Sequence, residues 1–474
     1  MIRTVKILLV FMAVIWLNFI EVSAAYIRCE NKAYAGKRLV FWQLDDPVTG
    51  KKSEAFTLTM DVDGKAEINY DVKKTEYLFT DFGIYRGMLF LQPNETITLK
   101  LPPLKEKTFA DEKNPYFQAI SFWFISESGN HLTDKVSKFE QQFNYLTDKH
   151  FNDLYFNQSK TVLDSVKAQL GLWIPETASK TLRLHKELKL QLIEADIFRL
   201  RPESYSSIFN MIDPDFWLHP AFVETFNKTF DNQLGFMAQA IKGSEIKAAV
   251  ESANLTALSE ITEKKFKTTG STTNIVMLKL LHDGFYSKEF SKAAIEKLVA
   301  NSRFTSNKNQ LIRTTAENML KKFSFLTKGS TAPVICLNDL SGEKICTNSG
   351  TDKFKYIVFA DVETVVSKEH LKYLSRINEL FPKHLEIFVI LRNTDLLTAN
   401  KFFETNKVPA KILIDKSNIY TERFKIRSFP QCFLLNEQHQ VVFDFAKAPL
   451  EGFEEQFGTW LRNELFMRQR NQNK

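Results

Sequence analysis

From residue 26 to about residue 106, apolar and polar positions alternate with a period of two. Arg38 to Leu44, Phe56 to Val62, Ala66 to Val72, Glu76 to Thr80, Met88 to Leu91 and Thr96 to Leu101 are short runs rich in apolar and β-branched residues, the pattern of strands that bury one face. Asp63-Gly64 lies between two alternating runs and gives a two-residue hairpin signal, with Phe56, Leu58, Met60 and Val62 on one face. These runs predict a small antiparallel β-sandwich over residues 25–106. Nothing in it has catalytic spacing.

After Pro102-Pro103 and the charged segment Lys105 to Lys113 the period lengthens to that of a helix. Val136, Phe139, Phe143, Leu146 and His150 fall on one stripe, and Leu184, Leu188, Gln191, Leu192 and Ala195 on another that Pro202 ends. Residues 107–328 are therefore expected to be mostly α-helical. Past Gly329-Ser330-Thr331-Ala332-Pro333, strands and helices alternate. Val334 to Leu337 and Glu343 to Thr347 form a hairpin. Strands over Lys355 to Phe359, Leu385 to Leu391 and Ala410 to Asp415 alternate with helices over Lys368 to Phe381 and Thr394 to Thr405. A hairpin of Phe433 to Leu435 with Val441 to Phe443 and a helix over Leu450 to Phe466 close the series. This order predicts a mixed sheet with helices on both sides. The chain thus reads as multidomain: β-sandwich, helical middle and α/β domain over residues 329–466, followed by a basic, solvated tail at 467–474.

Composition adds an outlier and an address. Phenylalanine occurs 42 times in 474 residues, enough for large apolar faces. Arg3 and Lys6, an apolar stretch from Ile7 to Ile20 and the small residues Val22-Ser23-Ala24 read as a cleaved secretion signal over residues 1–24. The protein is accordingly expected to be exported, to the periplasm or cell envelope, with membrane contact only through that signal. The net charge of +7 comes from 63 basic and 56 acidic residues that are interspersed, so no nucleic-acid partner is expected. His131, His150, His185, His219 and His282 lack metal-ligand spacing, and neither a metal nor a cofactor is expected. Asp213-Pro-Asp-Phe-Trp217 is an aromatic, acidic loop of a kind that can bind sugars or simply cap a helix over buried aromatics.

In residues 329–466 the local words resemble the thioredoxin fold, specifically the TlpA-like and peroxiredoxin-like proteins of the bacterial envelope. Ala332-Pro333-Val-Ile335-Cys-Leu337-Asn-Asp339-Leu-Ser-Gly342 resembles their opening hairpin, and Arg427-Ser-Phe429-Pro430-Gln-Cys432 their cis-proline loop. Phe359 to Leu374 is similar, without a gap, to the stretch that carries the C-x-x-C pair, and here Thr364 and Ser367 stand at the two cysteine positions. In that family a helix N-terminus lowers the first cysteine's pKa, so that a thiolate attacks disulfides. A Thr or Ser hydroxyl is too weak an acid to replace it and has no exchangeable sulfur. His370 lies along the helix from Thr364, so nucleophile activation by a base is not expected, and Ser367 is expected to cap the helix.

Four cysteines remain. Cys336 and Cys346 fall on the two arms of the hairpin, and a short loop through Gly342 sets them opposite each other as a disulfide candidate or a redox pair. Cys432 reads as a buried thiol, and Cys29 has no evident partner. The leading expectation is a binding or scaffolding module rather than an enzyme. The groove beside Phe429 and Pro430 would receive an extended peptide or another envelope protein. Two alternatives stay open: a thiol-disulfide oxidoreductase or peroxiredoxin-like enzyme that uses Cys336 and Cys346, and a carbohydrate or surface-polymer binder that uses the sandwich and the Asp213 to Trp217 loop.

Overall fold

The computed structural model describes residues 24–472 except 115, 241–242, 350–351 and 393. The expected secretion signal, apart from its last residue, lies outside the described residues. The chain divides into two compact units, residues 1–320 and 321–474.

Among the described residues of the first unit, nine strands form two sheets. They are β1 (Ala24–Glu30), β2 (Arg38–Leu44), β3 (Lys52–Thr59), β4 (Lys65–Asp71), β5 (Glu76–Phe82), β6 (Tyr85–Leu91), β7 (Thr96–Lys100), β8 (Ile120–Trp123) and β9 (Ile125–Ser126). One sheet has the order β4-β1-β7-β9 and the other β3-β2-β5-β6-β8. A shared core of Ile27, Phe41, Phe56, Leu58, Leu89 and Ile97 joins them. Two expectations are corrected here. The strands are not all antiparallel, since β1 runs parallel to β7 and β6 parallel to β8. The Asp63-Gly64 turn does form, with Asp61 N–H donating to the Lys65 carbonyl at 2.8 Å, but its two arms separate into different sheets. Gly64 has φ +77°, and a Cβ there would meet the Asn31 carbonyl oxygen at 2.4 Å, so only glycine fits where the chain crosses over. Val62 accordingly lies in the turn, 88% exposed, and not on the core face. β5 and β6 pair as a hairpin, and so do β2 and β3. The β2–β3 connection is organised by the buried Asp46 carboxylate, which accepts from Val48 and Thr49 N–H.

The rest of the unit is helical, with α1 (Leu132–Lys149), α2 (Lys160–Trp173), α3 (Lys180–Ile197), α4 (Pro220–Thr229), α5 (Leu255–Phe266), α6 (Gly270–Tyr286) and α7 (Gln310–Phe323, its last three residues beyond the unit boundary) as its principal helices. The abundant phenylalanine goes into its core: Phe209 meets Phe222, Phe226 and Phe230 at ring separations of 5.5–5.6 Å. The histidines mostly find carboxylates, His131 with Glu95, His185 with Glu140 and His282 with Asp283.

The second unit holds β10 (Cys336–Asn338), β11 (Lys344–Cys346), β12 (Phe354–Ala360), β13 (Leu385–Arg392), β14 (Lys411–Asp415) and β15 (Gln431–Leu435). Its helices are α8 (Val365–Leu380), α9 (Leu396–Asn406), α10 (Ile419–Arg423) and α11 (Phe453–Gln472). The main sheet has the order β14-β13-β12-β15, parallel except for β15 against β12. Both faces are buried. Tyr356, Val358, Val389, Ile414 and Leu434 pack with α8, α9 and α11 on one side, while Ile357, Phe359, Ile390, Leu413 and Phe433 pack with Ile335 and Phe424 on the other. Successive residues therefore alternate faces although nearly all are apolar, as expected of a central strand. Two details differ from the sequence expectation. Residues 441–443 pair with β15 only through a Leu435–Val441 bridge. The basic tail is helical through residue 472, with Arg468 bonded to Glu437 at 2.8 Å and Glu464 at 2.9 Å instead of being frayed.

Candidate functional site

The junction between β12 and α8 lies at the C-terminal edge of the parallel strands, where open α/β sheets place their ligands. Its geometry centres on Asp361, which is buried. Thr364 is the N-cap of α8: its Oγ1 accepts from Ser367 N–H at 3.4 Å and donates to the Asp361 carbonyl at 2.9 Å. Ser367, fully buried, reaches back so that its Oγ accepts from Asp361 N–H at 3.2 Å. The expected capping role thus belongs to Thr364, and Ser367 closes the turn from the third helical position, much as in a capping box. The reason is positional. Ser367, His370, Leu371 and Leu374 share the buried stripe of α8, and Val366 is 59% exposed.

Removing the cap hydroxyl by Thr364→Ala is expected to lower the stability of the second unit by about 1 kcal/mol, readable as a shift of the urea midpoint at unchanged slope.

Arg392, at the end of β13, connects the turn to the proline loop. Its Nη1 lies 3.8 Å from an Asp361 carboxylate oxygen, and its guanidinium lies 5.4 Å from the centre of the Phe429 ring. The Phe429–Pro430 peptide is cis. Glu363 accepts from Thr394 Oγ1 at 3.2 Å, drawing the start of α9 to the same place. Thr364, Ser367, Phe429 and Pro430 therefore come from segments that converge. Asp361 and Arg392 are the members sequence reasoning missed. Their only signal was a charged residue ending an apolar strand.

Chemically the junction is quiet. Both hydroxyls are engaged by backbone groups, and no sulfur is present in the turn. His370 cannot serve as base: it is buried, its Nδ1 accepts from Leu450 N–H at 3.2 Å, and burial holds its pKa below the usual histidine value. Cys432, opposite Val358 on β15, is buried and its thiol is pushed up to about 12, chiefly by loss of solvent. Burial also pushes the Cys29 thiol up to about 11. Cys336 and Cys346 face each other across β10–β11 and form a disulfide. Among the described residues no group of three His, Cys, Asp or Glu side chains is placed to hold a metal ion. What the junction does offer is apolar surface: Val365 is 74% and Leu397 77% exposed.

No protein-family model matches the sequence, and no curated protein matches it. Solved structures do show likeness. The thioredoxin domain of a thiol-disulfide oxidoreductase from Bacteroides vulgatus is 21% identical over 28% of this chain and 97% of its own, with a TM-score of 0.25. A thiol:disulfide interchange protein from a Bacteroides species is 22% identical over 28% of this chain and 91% of its own, with a TM-score of 0.26. A thiol-disulfide oxidoreductase from Bacteroides fragilis is 17% identical over 27% and 98%, with a TM-score of 0.25. At such identities and scores these likenesses carry nothing about activity or substrate. Among the described residues no helix is long and apolar enough to cross a membrane.

Proposed function

We propose that residues 329–466 are a thioredoxin-like domain of an exported envelope protein, and that this domain binds an extended segment of another envelope protein instead of exchanging disulfides. The observation that carries this reading is the use of the two hydroxyls at the former dithiol positions. Thr364 and Ser367 are spent on the Asp361 backbone, so the turn is fixed as structure, while Val365, Val366 and Leu397 beside it remain exposed. Apolar side chains beside a polar loop suit a partner whose backbone bonds and alternate side chains pack.

Fluorescence anisotropy with a library of unstructured peptides tests this. At least one peptide is expected to bind the intact chain, and Val365→Glu/Val366→Glu is expected to weaken it about tenfold by placing charge where an apolar contact forms. Peptide affinity indifferent to both substitutions would move the binding surface elsewhere.

A second reading, thiol-disulfide exchange by Cys336 and Cys346, is favoured by one observation: Cys336 lines an open pocket of about 590 Å³ with Asp415 and Lys416. It requires that Cys336→Ser abolish disulfide-exchange turnover. A pair that stays oxidised in mild reductant, read by mass spectrometry, counts against it.

A further inference from the structure

The first unit contains a second candidate site that owes nothing to the thioredoxin-like region. A cleft of about 890 Å³ opens where the end of β2, the start of β5, the 213–219 loop and the first turns of α3 and α7 meet. This is within the size range of small-ligand sites.

Its lining is unusual in being neither apolar nor of one charge. Gln43, Thr75, Thr181, Gln310 and Thr314 contribute uncharged amides and hydroxyls, groups that can donate and accept at once. Tyr77 and Phe216 contribute half-buried rings, and Lys180 lies 5.1 Å from the centre of the Phe216 ring. The carboxylates are already engaged. Asp45 pairs with Lys51 at 3.1 Å, and Asp215 with Lys74 at 3.1 Å. Asp213 accepts from Asp215 N–H at 3.0 Å, and Glu76 from the Tyr70 hydroxyl at 3.0 Å. Two of the four are thus paired with lysines, and Lys180 adds a further positive charge to the lining, which disfavours a cation as the ligand. His219, also in the lining, is neutral: burial holds its pKa well below the usual value, and its Nδ1 accepts from Ala221 N–H. Trp217 is buried against Phe222, in keeping with the reading of this loop as a cap over buried aromatics. Phe216 is the aromatic residue of that loop that faces the cleft.

We infer that this cleft binds a short neutral saccharide. Sugar hydroxyls each donate and accept, as the amide and hydroxyl lining does, and their C–H faces pack on aromatic rings. This inference is independent of the peptide-binding reading, since every lining residue belongs to the first unit.

The test is calorimetric titration of the intact chain with neutral oligosaccharides of glucose, mannose, xylose and N-acetylglucosamine, with spermine as a cationic control. At least one sugar is expected to bind with a millimolar or tighter Kd. Phe216→Ala is expected to weaken it about tenfold, the scale of a lost anchor contact. Gln310→Ala, at an exposed position, is expected to weaken it severalfold without moving the thermal midpoint, which keeps the test decisive if Phe216→Ala fails to fold. The inference is overturned if none of the sugars binds, if binding is unchanged in Gln310→Ala, or if spermine binds and the sugars do not.

Discussion

Thr364→Cys together with Ser367→Cys is expected to confer insulin reduction, with the wild type expected to show none. The two positions sit three residues apart, one capping α8 and the other in its first turn, which is the geometry a C-x-x-C pair uses. A thiol at position 364 would meet the free N–H groups and dipole of a helix start, and these lower a thiol's pKa from about 8.5 toward about 7. At neutral pH the thiolate fraction then rises roughly fifteenfold, while the lower basicity costs about fivefold in nucleophilicity. The net gain is on the order of threefold for the attack. The larger benefit is the neighbouring second thiol, which resolves the mixed disulfide without a further encounter. The cost is local: a thiol at 367 accepts the Asp361 N–H bond less well, in a buried place. Insulin precipitation in dithiothreitol reads the outcome, and the single substitution Thr364→Cys is expected to remain slow because it cannot resolve.

Removing the one disulfide the described residues contain is the second large effect. Cys336 and Cys346, separated by 10 positions, close a short loop, and the chain-entropy relation gives about 3 kcal/mol for such a closure. The hairpin is also held by Cys336 N–H donating to the Tyr420 hydroxyl at 3.1 Å and by Leu337 and Ile345 packed against the core. Its strands have three residues each, too few for independent stability, and it meets the main sheet through an Asp339–Leu413 bridge and the buried Ile335. Cys336→Ala/Cys346→Ala is expected to destabilise the second unit by that amount in urea unfolding, and reduction of the wild type to reproduce it. A loss well under 1 kcal/mol would mean that the reduced hairpin keeps its place without the bond.

The two units were legible in the sequence to different degrees. In the second, apolar runs such as Tyr356 to Phe359 and Leu385 to Leu391 are bounded by turns and helices, and being buried on both faces they leave little doubt of strand character. The first unit misled the period-two rule where pairing is decided by tertiary contacts. β3 and β4 look like one hairpin around Asp63-Gly64, yet which sheet each joins depends on β2 and β1, far away in the chain. β8 and β9 fell within the stretch expected to be helical because they are short and follow a charged segment. At the candidate site, the spacing of Thr364 and Ser367 was readable, but which hydroxyl caps the helix was not, since that depends on the rotation of α8 that buries Ser367 and exposes Val366. The Asp361–Arg392–Phe429 connection joins three segments, and its only local trace is a charged residue at the end of an apolar strand. Burial of Trp217 agrees with the reading of its loop as a cap over buried aromatics, and Phe222 is the ring it packs on.

The central claim is that the junction at Thr364 and Ser367 holds a surface and not a reactive pair. Its most direct test is insulin reduction by dithiothreitol with and without the wild-type chain, with Thr364→Cys/Ser367→Cys run in parallel as the positive control. Precipitation at the uncatalysed rate is expected with wild type and a faster rate with the double variant. Acceleration by the wild type would contradict it.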